Sequence, residues 1–180
     1  MSKGMLVIID PQNDFTHLKG DYARRHTGIT QIAATKARIR HLLQSLGSHE
    51  AVIVRSDYQP DQFGPGLSLC IPHTFGHEID AALQVDDTLN VFTKTEHSCF
   101  SSADFKELLN TGEIDTLVLS GFLAEYCVKQ TALDALQLGY QVLLVEDCIA
   151  TGDDVQYRKE QTLAELADKG AVIIKSNELY

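Results

Sequence analysis

The chain has 180 residues, and its 44% hydrophobic and 22% charged content is ordinary for one soluble globular domain. A formal net charge of −10 disfavours nucleic acid and anionic membranes as partners, because both reward clustered lysine and arginine. The four cysteines include no Cys-x-x-Cys pair, and the apolar run that begins at Met5 is too short for a signal peptide core or a membrane span. We therefore expect one domain over residues 1–180, located in the cytoplasm with its thiols reduced.

Apolar runs and segments of helical periodicity alternate along the chain. Continuous aliphatic runs predict six strands, at residues 5–9, 51–54, 89–93, 114–119, 141–145 and 171–174. Apolar positions at helical spacing predict helices over residues 29–46, 124–138 and 155–169, and a further helix that starts near Ser101. The alternation predicts an α/β fold, a single-domain, doubly wound, mainly parallel six-stranded sheet with helices on both faces.

Residues 58–87 interrupt this alternation, because prolines and glycines are frequent there and no apolar period persists. Long irregular segments inside compact domains are usually functional. We expect this loop to form part of the wall of a site. The alternative is a surface excursion with no role.

Three reactive side chains follow predicted strands: Asp10 after the first, Lys94 after the third and Cys127 after the fourth. Sites in open α/β sheets form beyond the carboxyl ends of the strands, so these side chains are expected to meet. Each also has a structural explanation, as a turn initiator, a solvated lysine or a core cysteine. Cys127 lies in the first turn of a predicted helix, where unpaired N–H groups and the helix dipole are expected to lower the pKa of a thiol.

Together the three residue types form a coherent hydrolytic set. A thiolate can attack a carbonyl carbon and form a covalent acyl intermediate. An aspartate near the thiol can take its proton and later return it to a leaving amine. A nearby lysine ammonium favours both the thiolate and the ionised aspartate.

Three segments resemble, in order, the motifs of one hydrolase family. VIIDPQNDF at residues 7–15 is similar to the motif hydrophobic-Asp-x-Gln-x-Asp-Phe, and FTK at residues 92–94 is similar to the lysine motif. GFLAEYCV at residues 121–128 is similar to the cysteine motif Gly-hydrophobic-x-Thr-(Asp/Glu)-x-Cys-Val. Over nearly its whole length, the chain resembles the isochorismatase-like cysteine hydrolases, which include nicotinamidases and related amidohydrolases.

The resemblance implies a catalytic triad of Asp10, Lys94 and Cys127. It also implies a cis peptide bond between Phe122 and Leu123, which would direct the N–H of Leu123 into the site. There it would form an oxyanion hole with the N–H of Cys127. Self-association is common in this family, so a homo-oligomer is expected, with a small molecule as the substrate.

Several positions depart from the nicotinamidase pattern. Those enzymes bind a divalent metal through an Asp-x-His pair and further histidines. Here the corresponding pair is Asp57 and Gln59, and Leu69 stands where some members place a histidine. Glutamine is a poor substitute for imidazole, so no metal or other cofactor is expected. His73 and His77 are four residues apart and could hold a metal, but substrate contact or a role in loop structure is favoured for them.

Residues near the motifs are candidates for contact with the substrate. By motif position, Phe15, Tyr58 and Phe122 could stack on a planar substrate, although lone aromatic residues are more often core. His73 could supply a polar contact. His97 could face the pocket or equally lie at the surface.

The sequence therefore predicts a cysteine hydrolase that cleaves the C–N bond of a small amide through an acyl intermediate on Cys127. Two alternatives stay open. One is an isochorismatase-type hydrolysis of a vinyl ether, in which the aspartate acts as an acid and the cysteine is not required. The other is a binding protein that has kept the fold and lost turnover.

Overall fold

A computed structural model describes residues 3–46 and 50–179. Its centre is a six-stranded sheet with the strand order β3-β2-β1-β4-β5-β6, and every neighbouring pair is parallel. The strands are β1 (Gly4–Ile9), β2 (Ala51–Ser56), β3 (Asn90–Lys94), β4 (Thr116–Phe122), β5 (Gln141–Ala150) and β6 (Val172–Ile174). The predicted doubly wound sheet is confirmed. The predicted domain limits at residues 1 and 180 lie outside the described residues and stay a prediction.

Helices cover both faces of the sheet. They are α1 (Asn13–Thr16), α2 (Asp21–Arg25), α3 (Thr30–Ser45), α4 (Ala103–Thr111), α5 (Lys129–Gln137) and α6 (Gln156–Asp168). Side chains of β1 alternate between two core clusters: Val7 and Ile9 pack with α4, α5 and α6, whereas Leu6 and Ile8 pack with α3. Burial on both faces explains why the inner strands read as continuous apolar runs. Within the described ranges, no helix is long and apolar enough to cross a membrane.

Three strands extend at least two residues further toward their carboxyl ends than the apolar pattern predicts, and β3 extends one residue further, to Lys94. β2 continues to Ser56, β4 to Phe122 and β5 to Ala150, because residues in these extensions still pair with neighbouring strands. The register pairs Ser56 of β2 with Lys94 of β3. Ser56 and Lys94, two polar residues at the carboxyl edge of the sheet, are therefore carried by strands and not by loops.

The long loop after β2 is tied to the first sequence motif by buried polar side chains. Through Nε2, Gln12 donates to the carbonyl groups of Ser56 and His77, at 2.9 Å each, and its Oε1 accepts the N–H of Ser56 at 2.8 Å. Asp14 accepts the N–H of Cys70 at 2.7 Å. These bonds hold the loop against the carboxyl ends of β1 and β2.

Gly121 in β4 allows the carboxyl ends of β1 and β4 to approach closely. Its φ is +114°, and an added Cβ would lie 2.2 Å from the carbonyl oxygen of Ile9. Any side chain at this position would therefore meet backbone that cannot move without disturbing the sheet.

We predict that Gly121→Ala lowers the free energy of unfolding by about 3 kcal/mol or more, because a backbone clash adds to the strain of a positive φ. Gly139→Ala is the matched control, since its φ is +90° and no described atom lies within 4 Å of the added Cβ. The control should lose only about 1–2 kcal/mol. Urea denaturation measures both, and equal losses would show that the clash is relieved at no cost.

Candidate active site

The carboxyl edge of the sheet brings Asp10, Lys94 and Cys127 together. Asp10 directly follows β1, Lys94 ends β3, and Cys127 lies in a π-helical turn (Ala124–Val128) after β4. Nζ of Lys94 lies 3.2 Å from Oδ2 of Asp10 and 3.4 Å from Sγ of Cys127. All three side chains are buried, and the lysine links the carboxylate to the thiol.

Ser56 belongs to the same cluster, although the sequence analysis did not identify it. Its hydroxyl donates to Oδ1 of Asp10 at 2.8 Å and accepts from Nζ of Lys94 at 2.8 Å. The available signal was a small polar residue at a strand end, in register with the lysine. It was overlooked because the apolar run of β2 stops earlier, at Val54.

The second carboxylate oxygen of Asp10 is buried and accepts no hydrogen bond from any described residue. Its 3.2 Å contact with Nζ of Lys94 is an ion pair without hydrogen-bond geometry. The ammonium makes shorter contacts with the Ser56 hydroxyl at 2.8 Å, the Glu96 carbonyl at 2.9 Å and the Tyr58 hydroxyl at 3.0 Å. Oδ2 therefore keeps a lone pair that is free to accept a proton.

Burial and charge act in opposite directions on Lys94. Burial lowers the pKa of this lysine, but the negative charge of Asp10 outweighs burial and raises the pKa well above its ordinary value. Lys94 is therefore an ammonium at neutral pH. Its several hydrogen bonds compensate for the desolvation of a buried charge.

The expectation of a lowered pKa at Cys127 is wrong for the resting site. Burial raises the pKa of the Cys127 thiol, the Asp10 carboxylate raises it further, and Lys94 only partly offsets these effects. The burial of the turn and the carboxylate beside it therefore outweigh the effect that the first turn of a helix has on a thiol. The Tyr58 hydroxyl lies 3.4 Å from Sγ and is also neutral, because burial raises its pKa. The resting site thus holds a protonated thiol, which needs a base.

A cavity of about 370 Å³ opens onto Cys127. Its wall is largely aromatic, and the aromatic side chains in it are Phe15, Tyr22, His26, Tyr58, Phe63, His97 and Tyr126. Asp21, Arg25 and Arg158 add charged groups. Of the predicted triad, only Cys127 lines the cavity, and the other two members lie behind it.

The loop after β2 does form part of this wall, through Tyr58, Phe63, Leu67 and Leu69. Phe15 and Tyr58, two of the predicted substrate contacts, line the cavity. Phe63 was not predicted to face the cavity, because nothing in an irregular segment indicates which side chains face inward.

Two predicted substrate contacts, Phe122 and His73, are wrong because neither residue lines the cavity. Phe122 ends β4 on the same face of the sheet as Val118, so its side chain is fully buried in the core cluster that includes α3. His73 is exposed and has a φ of +67°, within a tight turn in which the N–H of Thr74 donates to the carbonyl of Ile71. Its side chain consequently faces solvent.

His97 faces the cavity, so of its two predicted placements, in the pocket or at the surface, the first is confirmed. Nδ1 lies 3.7 Å from Sγ of Cys127. The imidazole stacks on Phe63, with a centroid distance of 4.3 Å and an interplanar angle of 14°. Burial and the nearby Lys94 ammonium lower the pKa of His97, so the ring is neutral at pH 7.

The turn that carries Cys127 begins with the cis peptide bond between Phe122 and Leu123, as the family resemblance implies. The carbonyl of Leu123 accepts the N–H groups of Tyr126 at 3.2 Å and Val128 at 3.3 Å. These bonds close the π-helical turn and hold Cys127 at the cavity wall. Turns of this type are frequent at functional sites.

The residues at the position of the nicotinamidase-type metal do not fit a metal ion. Oδ1 of Asp57 is in hydrogen-bond contact with Nε2 of His77, so each is the partner of the other. Gln59 supplies no imidazole, and its backbone N–H donates to the side-chain oxygen of Gln62 at 2.9 Å. Within residues 3–46 and 50–179, no group of three or more His, Cys, Asp or Glu side chains is arranged to hold a metal ion.

Because the pKa of Cys127 is raised, its alkylation by iodoacetamide should continue to accelerate at high pH. A group with a raised pKa stays protonated, and so unreactive, until the pH passes that pKa. We predict a rate constant that is lower than that of free glutathione at pH 7 and still rises above about pH 9. Intact mass spectrometry measures the modification, with Cys127→Ala as the background. A plateau below about pH 8 would indicate a lowered pKa and contradict the prediction.

Comparison with known proteins agrees with this architecture. The sequence matches the family model of the isochorismatase domain over residues 4–178. A nicotinamidase of Escherichia coli (strain K12) is 30% identical over an alignment that is 176 residues long with its gaps. The alignment covers 79% of this chain and 80% of the relative. A secreted isochorismatase effector of Verticillium dahliae is 28% identical, and the alignment covers 97% of this chain and 89% of the relative.

A solved structure of similar fold is N-carbamoylsarcosine amidase from Thermoplasma acidophilum. It is 26% identical and has a TM-score of 0.77, with 97% of this chain and 96% of the other covered. The match of the family model over nearly the whole chain, together with the fold and the ordered motifs, confirms the resemblance seen in the sequence. The chain therefore belongs to the isochorismatase family of hydrolases.

Proposed function

We propose that this protein is a cysteine amidohydrolase that cleaves the C–N bond of a small carboxamide through an acyl intermediate on Cys127. The observation that carries the proposal is the free, buried Oδ2 of Asp10 at a protonated thiol, with Lys94 in contact with both groups. A base, a nucleophile and a fixed positive charge are the components that covalent amide hydrolysis requires.

In the acylation step, Oδ2 of Asp10 accepts the thiol proton and Sγ of Cys127 attacks the amide carbon. The carbonyl oxygen becomes the oxyanion of a tetrahedral intermediate. The C–N bond then breaks, Asp10 returns the proton to the leaving ammonia or amine, and a thioester remains on Cys127. Lys94 stabilises the negative charge while it moves from the carboxylate to sulfur.

We assign stabilisation of the oxyanion to the backbone N–H groups of Leu123 and Cys127. Both residues line the cavity. The carbonyl of Leu123 is directed into the turn, where it accepts the N–H of Val128 at 3.3 Å. A donor of this kind typically contributes about 3 kcal/mol to the stability of the transition state.

The cavity favours a small substrate with a flat apolar body. A volume of about 370 Å³ suits a molecule of modest size, and aromatic walls bind planar groups by stacking. Phe15, Tyr58 and Phe63 supply those walls. The names of the relatives, a nicotinamidase and an N-carbamoylsarcosine amidase, also favour hydrolysis at a C–N bond of a small molecule.

The reaction is proposed to need no metal ion, because Asp57 is engaged by His77 and Gln59 replaces a histidine ligand. We predict that activity is unchanged after dialysis against EDTA and is not increased by added Zn²⁺, Mn²⁺ or Fe²⁺. Metal content measured by mass spectrometry on the dialysed enzyme completes the test. Loss of activity with EDTA and recovery with one of these ions would overturn the metal-free proposal.

The covalent mechanism is tested by ammonia release from a panel of small aromatic and aliphatic carboxamides. We predict that Cys127→Ala abolishes release, because the nucleophile is lost. Asp10→Asn should reduce kcat by about 10²–10⁴-fold, because no base takes the thiol proton. Cys148→Ala is the matched control, since Cys148 is a buried core cysteine in β5 that does not line the cavity, and its kcat should be unchanged.

The same variants separate the alternatives. Hydrolysis of a vinyl ether such as isochorismate that survives Cys127→Ala and is lost in Asp10→Asn would replace the amidase proposal with acid catalysis by Asp10. Absence of turnover by the wild type on every amide and vinyl ether, combined with tight binding of one of them, would favour a binding protein.

Two further proposals concern the setting of the enzyme. A cytoplasmic location is supported by four cysteines that are all free and buried, and cell fractionation tests it. Assembly into a homo-oligomer rests on the family resemblance alone, and sedimentation velocity tests it.

A further inference from the structure

The Lys94 ammonium has fewer hydrogens than the acceptors around it can take. An ammonium carries three hydrogens. The acceptors in hydrogen-bond geometry are the Ser56 hydroxyl at 2.8 Å, the Glu96 carbonyl at 2.9 Å, the Tyr58 hydroxyl at 3.0 Å and Sγ of Cys127 at 3.4 Å. Oxygen is a better acceptor than sulfur, so the three oxygen atoms take the three hydrogens. Lys94 therefore acts on sulfur through its charge.

The Tyr58 hydroxyl has a hydrogen of its own to donate. Its oxygen accepts from Lys94, so this hydrogen points away from the ammonium. Two acceptors are in reach, the Glu96 carbonyl and Sγ of Cys127, both at 3.4 Å. An O–H···O bond seldom exceeds about 3.0 Å, and the Glu96 carbonyl already accepts from Lys94. Sulfur is a larger atom for which this separation is ordinary, so the hydrogen is directed at Cys127.

Tyr58 keeps this hydrogen at neutral pH. Only 2% of the residue is exposed. Burial raises the pKa of its hydroxyl, and the negative charge of Asp10 reinforces that effect. The hydroxyl is therefore a donor and not a base. Its contact with the Lys94 ammonium polarises the O–H bond, which strengthens the hydrogen bond that it donates.

The other groups that face Sγ have different tasks. Asp10 takes the thiol proton in the proposed function, and Lys94 supplies positive charge. Nδ1 of His97 lies farther from sulfur, at 3.7 Å, on a ring that is neutral at pH 7. Tyr58 is thus the group placed to donate to sulfur when the thiol loses its proton. A hydrogen bond to a charged acceptor is stronger than one to a neutral acceptor, so this bond strengthens as charge develops.

We propose that Tyr58 is a further catalytic residue, the hydrogen-bond donor that stabilises the thiolate of Cys127. As Asp10 removes the thiol proton and Sγ bonds to the substrate carbon, the Tyr58 hydroxyl donates to the sulfur. It donates again when the C–S bond of the thioester breaks and the thiolate leaves. Tyr58 keeps its own proton throughout, so proton transfer stays with Asp10. The place of this bond in the reaction rests on the proposed function, whereas the bond itself does not.

Alkylation of Cys127 by iodoacetamide tests the hydrogen bond without any substrate. Tyr58→Phe removes the hydroxyl and keeps the ring in the cavity wall. We expect its rate constant near pH 8 to be about tenfold lower than that of the wild type, the effect of losing one hydrogen bond to a charged group. Tyr140→Phe is the matched control and should be unchanged, because Tyr140 packs against the core cluster that includes α4 and does not line the cavity. Cys127→Ala gives the background from the other cysteines.

A second variant changes the strength of the donor without removing it. 3-Fluorotyrosine incorporated at position 58 keeps the ring and the hydroxyl, and its fluorine makes the hydroxyl more acidic and so a stronger donor. The alkylation rate constant should then exceed that of the wild type, which is the direction opposite to Tyr58→Phe. Thermal melting checks that both variants are folded.

The place of the bond in the reaction is tested with p-nitrophenyl acetate, which acylates thiols whatever the natural substrate is. With enzyme in excess, release of p-nitrophenolate reports acylation, and decay of the acetyl-enzyme, followed by acid quench and intact mass, reports deacylation. We expect Tyr58→Phe to slow both steps about tenfold, because the thiolate forms in the first step and leaves in the second. Tyr140→Phe should leave both steps unchanged.

The outcomes keep the two proposals apart. Acylation that persists in Cys127→Ala would overturn the proposed function and leave the alkylation result standing. Alkylation of Tyr58→Phe at the wild-type rate would overturn the hydrogen bond, and slower alkylation with unchanged acylation would overturn its role in the reaction. A rate constant that also falls with 3-fluorotyrosine would mean that Tyr58 only positions the thiol, which overturns its role as a donor. A loss in His97→Gln that is absent from Tyr58→Phe would assign the donor to His97 instead.

Discussion

The ion pair between Asp10 and Lys94 is the interaction on which the rest of the site depends. Both groups are fully buried, and removing two charges from water costs several kcal/mol for each ion. That cost is offset only where every partner has the correct geometry, which here means the Ser56 hydroxyl and the Glu96 carbonyl as well as the pair itself. A folded sheet is therefore needed before the charges can be accommodated, and the proposed chemistry uses the same charges.

Parallel strands make this geometry possible, because they bring the carboxyl ends of β1, β2, β3 and β4 to one edge. Asp10 leaves β1 in a left-handed conformation with a φ of +50°, which costs of the order of 1 kcal/mol for a residue other than glycine. Gln12 holds the end of β2 and the following loop against this turn. The site is thus rigid on the side of the sheet, while its wall on the other side is built by an irregular loop.

The sequence was sufficient to predict the sheet, the helices α3 to α6 and the meeting of Asp10, Lys94 and Cys127, because continuous apolar runs mark buried strands and reactive residues stood at their ends. The short helices α1 and α2 were not predicted. It was not sufficient for Ser56, whose role depends on register between strands, or for Phe63, which lies in a segment without periodicity. Phe122 was assigned to the cavity because its place in the motif does not reveal which face of β4 it occupies. The pKa of Cys127 depends on its burial and on the neighbouring Asp10 carboxylate. Both result from tertiary structure and cannot be inferred from the local sequence.

Two of the three triad residues lie behind the cavity and have no direct contact with whatever fills it. The groups that line the cavity come instead from α1, α2 and α6, from the loops after β2 and β3, and from the turn that carries Cys127. Substitutions in those segments can change shape and polarity at the cavity without altering a buried charge. Changes in the wall can therefore alter which molecules fit the cavity while the buried charges stay in place. The sheet keeps the buried Asp10 and Lys94 in the same place whatever residues form the wall.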